Sequence, residues 1–544
     1  MSTTLLCNGK IIDGSGKAAF DGHLLIEGDR ISAVLKEGEK PPPAKTVIDS
    51  NGFVISPGFI DMHSHADWII PLDDHMEVLK ALPEQGVTTL VGGNCGFSPA
   101  PFSDKTQDRL GKDLSTILMD KPLDFTWNSM DEFLLRIEEV KPVVNMAQLV
   151  GHATVRVAVA DTQRGTIKSD ELDTCLDEVR RAFDEGACGL SFGLGYDPGM
   201  YSSIDELEEF CLVAAEAKKP VTVHLKALSR ISPTYPLTYL KPHNLRALRE
   251  MIDIARNTGA ILQLSHFIFV GRKSWPTAAE AIQMVEDARR EGIDVMMDAF
   301  PYTCGNTIVN AVLPYWFIAM LPKGYKNRWA RARLRAELEI GFRLVGFFYK
   351  DFQVMDSAAE GWEDMNGLRL DEIARMRKTT PFNTLLNLSE SSNGEALMLF
   401  HTYSGEPGNE KPLESVLSND LCLFETDALI KSRGYPNPAA VGTFPKILGD
   451  YVREKKLFSI EDAVRRMTSA SADRFGLEDR GRLAPGKAAD VVVFDPDTIT
   501  DMPPVGDQPA GKPKGIKHVF INGIHVVKDG SYADGLRTGQ VLRV

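Results

Sequence analysis

The stretch Gly58-Phe59-Ile60-Asp61-Met62-His63-Ser64-His65 decides the fold, because an apolar run of strand length ends there in two histidines. Side chains on a strand alternate between its faces, so His63 and His65 point the same way. Two imidazoles on one face can bind one metal ion, although two unrelated histidines would give the same pattern. The stretch therefore predicts a strand with candidate metal ligands at its carboxyl end.

Seven more apolar runs of strand length follow along the chain. Helical patterns, such as those at 169–185 and 245–258, separate most of them. Eight strands that alternate with helices predict an α/β protein built on a (β/α)8 TIM barrel. The eight predicted strands are 58–63, 87–91, 143–150, 187–192, 220–225, 260–266, 293–299 and 421–426.

The two chain ends have a different character from the barrel region at 58–479. Residues 1–57 and 480–544 contain short β-type runs with turns such as Asn8-Gly9 and Asn522-Gly523, which predict one small β-sandwich domain built from both ends. Residues from about 305 to 420 are too many for one crossover, so we expect an insertion there, with a helical segment at 329–348. The pattern leaves open whether this insertion is a lid or a surface decoration.

Composition narrows the class of partner. The 544 residues include 61 Lys and Arg against 75 Asp and Glu, a net charge of −14 without a long basic run. Such a chain is a poor candidate for binding nucleic acid or an anionic membrane and favours a small-molecule substrate, with homo-oligomerisation left open. The seven widely spaced cysteines, together with the lack of a signal-like segment and of an 18-residue apolar run, predict a cytoplasmic protein with reduced thiols.

Four more candidate ligands follow later predicted strands: Cys95, His224, His266 and Asp427. In a TIM barrel the active site lies at the carboxyl ends of the strands, so these side chains are expected to meet His63 and His65. Imidazole and thiolate bind zinc well, and zinc lowers the pKa of bound water from near 16 to about 7. Asp427 could take the proton of that water and pass it to a leaving amine. The predicted chemistry is hydrolysis of a polarised C=O or C=N bond by a metal-bound hydroxide.

At this point the sequence resembles the amidohydrolase superfamily and, within it, the D-aminoacylases (N-acyl-D-amino-acid deacylases). The resemblance covers almost the whole chain, and its most specific element is the cysteine in Gly93-Asn-Cys-Gly-Phe-Ser98. The other motifs are Pro57-Gly-Phe-Ile-Asp-Met-His-Ser-His65, Gly151-His-Ala-Thr-Val-Arg156, Gly189-Leu-Ser-Phe-Gly-Leu-Gly-Tyr-Asp-Pro-Gly199, Pro301-Tyr-Thr303, Gly442-Thr-Phe-Pro445, Arg480-Gly-Arg-Leu-Ala-Pro-Gly486 and Ala489-Asp-Val-Val-Val-Phe-Asp495.

The resemblance implies two metal positions. Cys95, His224 and His266 match the residues that hold the tighter, catalytic zinc of the family. His63, His65 and Asp427 match a second, weaker position, and Asp427 matches the general acid/base.

Several positions depart from the family pattern. The family commonly has His-His-Lys, Tyr-Pro-Tyr, Ser-Asp-Gly and His-Pro-Arg near the substrate, and several of these groups face its carboxylate. Lys226, Arg230 or Arg272 could restore a cationic clamp, or each could be a surface charge. In the places of these four family motifs, taken in the same order, this chain differs at Phe267 and Ile268, at Phe300, at Ala428 and at Ala439.

Side chains near the strand ends are further candidates for substrate binding. His152 closes the third strand and either orients a ligand or has a structural role. Tyr196 and Tyr302 lie beside Pro/Gly loops and either shape the pocket or pack in the core. The full set of candidates is His152, Tyr196, Lys226, Phe267, Phe300 and Tyr302.

The sequence therefore predicts a zinc-dependent amidohydrolase that cleaves a non-peptide N-acyl bond. Its altered carboxylate positions favour a substrate without a free α-carboxylate, because burying a carboxylate without a cation is costly. Two alternatives remain: a hydrolase of a cyclic or neutral amide such as an anilide, and a catalytically silent barrel used for binding.

Overall fold

The computed structural model describes residues 2–106, 118–160, 165–236, 241–427, 429–502 and 511–544. Its strands are β1 (Thr3–Ile11), β2 (Phe20–Glu27), β3 (Arg30–Lys36), β4 (Thr46–Asp49), β5 (Val54–Pro57), β6 (Phe59–Asp61), β7 (Val87–Gly92), β8 (Asn145–Gly151), β9 (Gly189–Gly193), β10 (Pro220–His224), β11 (Ile261–Leu264), β12 (Val295–Ala299), β13 (Cys304–Ile308), β14 (Phe352–Asp356), β15 (Leu397–His401), β16 (Cys422–Phe424), β17 (Val491–Phe494), β18 (Thr500–Met502), β19 (Gly511–Lys514), β20 (Ile516–Ile521), β21 (Ile524–Lys528) and β22 (Ser531–Tyr532). Its α-helices are α1 (His75–Leu79), α2 (Ala81–Glu84), α3 (Met130–Val140), α4 (His152–Val159), α5 (Ser169–Asp184), α6 (Ile204–Glu216), α7 (His243–Thr258), α8 (Ala278–Arg290), α9 (Tyr315–Ile318), α10 (Arg328–Val345), α11 (Leu370–Met376), α12 (Pro381–Ser391), α13 (Lys411–Leu417), α14 (Ala439–Lys446), α15 (Ile460–Met467) and α16 (Ser469–Arg474).

The central sheet has eight strands in the order β6-β7-β8-β9-β10-β11-β12-β16. Every neighbouring pair is parallel. The two edge strands meet where the backbone N–H of Asp427 donates to the carbonyl oxygen of His63 at 3.0 Å, which brings the sheet round to a barrel. The predicted TIM barrel is confirmed, and all eight predicted strands correspond to barrel strands.

Amphipathic helices cover the outside of the barrel. In α5, for example, Cys175, Val179 and Ala182 are buried at helical spacing, while the opposite face carries charges. A parallel sheet needs such a cover because its strands are apolar on both faces. No helix within the described ranges is long and apolar enough to cross a membrane.

Both chain ends contribute to a second sheet, in the order β22-β21-β20-β17-β5-β1-β2-β3, with β4 paired to β1. Successive side chains of β17 point to opposite faces of this sheet, and one of these faces packs on the core of the barrel. Val491 and Val493 belong to a small core with Leu6 and other residues of the first strands, whereas Val492 and Phe494 belong to the main core. The predicted second domain made from both ends is confirmed, and its boundaries with the barrel stay predictions.

The chain between β12 and β16 forms the insertion. Its predicted helical segment is α10, and its own core includes Leu334, Phe342, Phe352 and Phe400. The insertion also contains a three-stranded antiparallel sheet, β13-β15-β14, which the sequence analysis did not predict. The first strand of this small sheet follows the end of β12 closely, so the insertion begins beside the carboxyl ends of the barrel strands.

Candidate metal centre

The six predicted ligands all lie at carboxyl ends of barrel strands: His63 and His65 after β6, Cys95 after β7, His224 on β10, His266 after β11 and Asp427 after β16. Cys95, His266 and Asp427 have positive φ angles of 57°, 32° and 45°. Residues other than glycine rarely adopt this backbone conformation, which persists where the surroundings enforce it and is frequent at ligand sites. The backbone at these ends is therefore shaped to bring side chains together.

Cys95, His224 and His266 form one group of donor atoms. The Sγ of Cys95 lies 3.4 Å from His266 Nε2 and 3.9 Å from His224 Nδ1. The two nitrogens are 2.9 Å apart. Donors at zinc-bonding distances of about 2.0–2.3 Å in tetrahedral geometry lie about 3.3–3.6 Å from one another. The distance between Cys95 and His266 falls in this range, and the other two, 2.9 and 3.9 Å, lie on either side of it. The sulfur–nitrogen donor set suits a zinc ion.

His63, His65 and Asp427 form a second group that adjoins the first. His63 Nε2 and His65 Nε2 lie 3.6 and 3.5 Å from the same oxygen, Asp427 Oδ1. His63 Nε2 is also 3.3 Å from Cys95 Sγ. The Asp427 side chain is 22% exposed whereas that of His63 is 1% exposed, and His224 is also half-buried, so the joint cluster opens to its surroundings at Asp427 and His224.

Electrostatic interactions within the cluster favour the deprotonated forms of Cys95 and Asp427, which are the forms that bind metals. Burial by itself raises the pKa of the Cys95 thiol, but the charges of His63 and His266 and contacts with His224 and His266 outweigh it, so the pKa lies well below its ordinary value. Burial likewise raises the pKa of Asp427, yet the contact with His65 and the charges of His266 and His63 leave it lowered. A thiolate and a carboxylate are the forms in which these residues bind metals.

Two buried acidic residues beneath the cluster were missed by the sequence analysis. Asp298 Oδ1 accepts from the backbone N–H of His266 at 2.7 Å and lies 3.7 Å from His63 Nδ1. Glu425 is fully buried, and neither of its carboxylate oxygens has a hydrogen-bond partner among the described residues. Burial raises the pKa of Glu425 well above its ordinary value, against the charge of His63. In the sequence, each of these two residues could have been noticed as a carboxylate inside an apolar strand run. Burying a carboxylate costs free energy, so an acidic residue at such a position indicates a function.

Of the candidate substrate-binding residues, Tyr196 lies beside the cluster. Its hydroxyl donates to the carbonyl oxygen of Cys95 at 2.8 Å, and its ring centroid is 4.9 Å from that of His224. His152 is held elsewhere, because its Nε2 contacts Glu206 at 2.9 Å in a buried network with Arg156. Among the described residues, no contact joins His152 to the ligand candidates. A substrate-binding role for His152 stays a prediction.

Phe300 and Tyr302 belong to a group that we call the apolar wall. The Tyr302 hydroxyl donates to Asp501 Oδ2 at 2.8 Å, so its polar end is already satisfied. Ile268 and Ala439, two of the positions that depart from the family pattern, are buried in the same group. The apolar wall consists of Ile268, Phe300, Tyr302, Cys304 and Ala439, with the half-buried Leu228, Val270 and Tyr403 packed on them.

Phe267 and Lys226 point away from the cluster. Phe267 lies with Leu225, Leu248 and Ala281 between the barrel and helices α7 and α8, because neighbouring residues of an extended segment alternate in direction. The Lys226 Nζ lies 5.7 Å from the ring centroid of Tyr235. Substrate roles for Phe267 and Lys226 have no support from these contacts.

Arg272 and Arg230, the other two candidates for a cationic clamp, have different surroundings. Arg272 pairs with Asp351 at 2.7 Å and with Glu406 at 2.5 Å, so its charge is already neutralised. Arg230 is exposed. Ala428, one of the departures from the family pattern, lies outside the described residues.

Comparison with known proteins agrees with this geometry. Residues 46–303 and 413–530 match the Amidohydrolase family, and these two segments contain all six ligand candidates, while the gap falls within the insertion. A D-aminoacylase from Alcaligenes xylosoxydans xylosoxydans is 28% identical over 539 residues, covering 99% of this chain and 97% of that protein. An N-acyl-D-glutamate deacylase from the same organism is 29% identical over 538 residues, covering 98% and 95%.

Solved structures give the same result. The N-acyl-D-glutamate deacylase of Bordetella bronchiseptica, complexed with zinc and a phosphonate mimic of the tetrahedral intermediate, superposes with a TM-score of 0.80, 28% identity and 99% coverage of both chains. A D-aminoacylase structure that describes a binuclear metal centre superposes with a TM-score of 0.79, 27% identity and 99% coverage of both chains. The similarity thus extends through both domains.

Proposed function

The chain belongs to the amidohydrolase family, and from that premise we propose that it is a zinc-dependent deacylase, which cleaves the amide bond of an N-acylated small molecule. It is a metal-dependent amidohydrolase acting on carbon–nitrogen bonds other than peptide bonds, as its full-length relatives are deacylases. One observation carries the finer proposal: four histidines, one cysteine and one aspartate from five strand ends converge within contact distance.

In this proposal Cys95, His224 and His266 hold the tighter zinc, and His63, His65 and Asp427 frame a second, weaker position. Sulfur and imidazole donors support zinc over magnesium or calcium, which prefer oxygen. When bound, the metal acts as a Lewis acid and lowers the pKa of water to about 7, so that hydroxide is available at neutral pH.

Asp427 has the properties of the proton carrier. Its carboxylate is ionised and can accept a proton, and with His224 it is one of the two ligand candidates that are only half-buried. A carboxylate oxygen of Asp427 takes a proton from the attacking water and then donates it to the nitrogen of the leaving amine. Tyr196, held on the Cys95 carbonyl oxygen, lies against His224 and restricts the space beside the tighter group.

A neutral amide or anilide is the second candidate substrate class, and the apolar wall favours it. Ile268, Phe300 and Ala439 stand where related enzymes commonly place polar or cationic groups, and all three are buried among apolar side chains. A substrate carboxylate placed against the apolar wall would lose its hydration without gaining a cation. We therefore expect the preferred substrate to lack a free α-carboxylate.

A catalytically silent barrel is the remaining alternative. A binding scaffold has no need for three non-glycine residues with positive φ at ligand positions, since such backbone costs about 1–3 kcal/mol each. The retention of all six donors in contact distance supports an enzyme.

Metal removal and Asp427→Asn test the proposal together. We expect a chelator to abolish hydrolysis of an N-acetyl-D-amino acid and its neutral amide, and zinc to restore it. Asp427→Asn should lower kcat by about a hundredfold or more, because an amide cannot accept the proton, while the tighter zinc stays bound. The measurements are turnover and zinc content by atomic emission.

Asp420→Asn is the matched control, since Asp420 is exposed and precedes the same strand, β16, at its opposite end. It should leave turnover unchanged. Hydrolysis that persists in zinc-free protein, or an Asp427→Asn variant with wild-type turnover, would contradict the proposal.

A further inference from the structure

Tyr403 lies in an unusual backbone segment just beyond β15, at the end of the insertion. Thr402 before it and Ser404 after it have positive φ angles of 88° and 55°. A β-branched residue such as threonine is a genuine outlier in this region, and two such residues around one side chain are costly. Conformations of this kind persist only where the surrounding structure enforces them, and they concentrate at ligand-binding segments.

Hydrogen bonds from the barrel hold this segment in place. The backbone N–H groups of Thr402 and Tyr403 both donate to the carbonyl oxygen of Thr303, at 2.9 and 3.0 Å. The carbonyl oxygen of Thr402 accepts from Trp275 Nε1 at 3.2 Å. Phe269, in the loop after β11, donates from its backbone to Ser404 Oγ at 2.9 Å and accepts from the Ser404 backbone at 3.0 Å. The segment is therefore fixed to the loops that follow β11 and β12.

The Tyr403 ring packs on the apolar wall, where Gly305 leaves space for the ring because it has no side chain. A Cβ atom at Gly305 would lie 2.3 Å from Tyr403 Cε2, so only glycine accommodates the ring there. Together with Leu228 and Val270, Tyr403 is half-buried on this wall, and Tyr403 also packs on the core of the insertion.

The Tyr403 hydroxyl has no hydrogen-bond partner among the residues that the structure describes. Burial, followed by the charge of Asp427, raises the pKa of this tyrosine above its ordinary range, so the hydroxyl keeps its proton. The Tyr403 hydroxyl is thus a neutral hydrogen-bond donor within electrostatic reach of Asp427, and no described residue accepts from it.

Two cations near this region are already paired with carboxylates, and a third, Arg369, whose charge acts on Cys304, donates to the carbonyl oxygen of Lys350. Arg272 binds Asp351 and Glu406, and Lys446 lies 2.5 Å from Asp450 and 3.9 Å from Asp501. Among the described residues, a substrate group beside Tyr403 would meet the uncharged hydroxyl of Tyr403 and the carbon atoms of the apolar wall.

We propose that Tyr403 is a specificity-determining residue whose hydroxyl donates a hydrogen bond to a neutral carbonyl oxygen of the substrate, as in an amidated or esterified carboxyl group, while the substrate's apolar part lies on Leu228 and Val270. The identity of the reaction rests on the proposed function, but binding of the neutral carbonyl does not require turnover. The insertion thereby completes the substrate pocket of the barrel.

Binding to the zinc-loaded Asp427→Asn protein tests this inference separately from catalysis. Calorimetric titration with three probes isolates the carbonyl: N-acetyl-D-leucinamide, N-acetyl-D-leucine and N-(3-methylbutyl)acetamide, which lacks the carboxyl carbon. Adding Tyr403→Phe should weaken leucinamide binding about tenfold, as expected for one hydrogen bond, and leave the third probe unchanged. Without Tyr403→Phe, the leucinamide should bind at least about tenfold more tightly than the free acid.

Tyr349→Phe is the matched control. Its hydroxyl is also without a partner among the described residues, but it is buried with the core of the insertion, so all three affinities should stay unchanged. The inference is overturned if Tyr403→Phe affects the leucinamide and the third probe equally, if neither changes, if the free acid binds more tightly, or if the leucinamide does not bind. Failure of the proposed function would show instead as absent turnover in the wild-type protein with zinc bound.

Discussion

At the residue scale, the surroundings of a cysteine decide whether it can bind a metal. Cys95 and Cys188 are both buried, yet at Cys188 burial outweighs the charge of Lys219 and raises the pKa to about 12. Around Cys95 the imidazoles of His63, His224 and His266 reverse that effect. The two thiols therefore differ in charge at neutral pH although they differ little in exposure.

Cys95→Ala should remove most of the tightly bound zinc. Turnover should fall by more than the roughly 10–100-fold loss that is typical when a residue that only orients a metal ligand is changed. The alanine leaves the two imidazoles His224 and His266 without their anionic partner. Zinc content, turnover and circular dichroism of the same preparation measure the effect.

Cys188→Ala provides the comparison, because it removes a buried thiol of the barrel core that contacts none of the ligand candidates. It should keep wild-type zinc content. A Cys95→Ala protein with full zinc and full turnover would remove Cys95 from the centre.

At the scale of elements, the insertion is attached to the barrel by charge as well as by backbone. Arg272, in the loop after β11, pairs with Asp351 and Glu406 of the insertion, and its side chain is only 20% exposed. Within the insertion, His401 ends β15 and lies 2.9 Å from Gln353 Oε1 through its Nε2. Burial and the charge of Arg369 lower the pKa of His401 to about 3.

His401 should make the stability of the protein depend on pH below about 6.5. The folded state keeps the imidazole neutral down to about pH 3, whereas the unfolded chain protonates it near its ordinary pKa of about 6.5. The unfolded state therefore binds the additional proton, and the free energy of unfolding falls as pH drops from 6.5, by at most about 1.4 kcal/mol per pH unit.

His401→Gln removes this titration and keeps an amide that can donate to Gln353. Denaturant unfolding at pH 8 and pH 5 should show a smaller loss for the variant than for the wild type, with the insertion followed by hydrogen exchange. Equal losses in the two proteins would show that His401 is protonated alike in the folded and unfolded chains.

At the scale of the whole molecule, a buried polar network joins the chain-end domain to the barrel. Asp490 precedes β17 and pairs with Arg480, which is 3% exposed. The same carboxylate accepts from Asn145 Nδ2 on barrel strand β8 at 3.0 Å and from the backbone of Asn522 at 2.8 Å. A buried charge pair of the chain-end domain thus also binds an asparagine of the barrel.

Asp490→Asn should destabilise the protein by about 3–5 kcal/mol, because it leaves the buried guanidinium of Arg480 without its counter-charge. Thermal unfolding of the zinc-loaded protein measures the change. Asp495→Asn, at the other end of β17, is the control: its contact with Lys517 is 3.8 Å long and near the surface, so we expect a loss of at most about 1 kcal/mol. Equal shifts in melting temperature for the two variants would contradict a structural role for the network.

The sequence by itself determined the architecture and the donor set. Apolar runs of strand length alternate with amphipathic helical patterns, and that order admits few folds besides a parallel barrel. Carboxyl ends of barrel strands meet at one face, so His63, Cys95, His224 and Asp427 could be grouped from their position after each run. These inferences needed only local periodicity and the shared direction of the strands.

Only the tertiary structure decided what surrounds the candidate metal centre. Phe267 follows the ligand candidate His266 directly yet faces the helices, and Arg272 is paired with a residue of the insertion. Tyr403 reaches the apolar wall from a segment that is separated from β16 by an entire helix, α13. The direction of a side chain in a loop, and its neighbours from distant segments, depend on packing between elements, which has no period in the sequence.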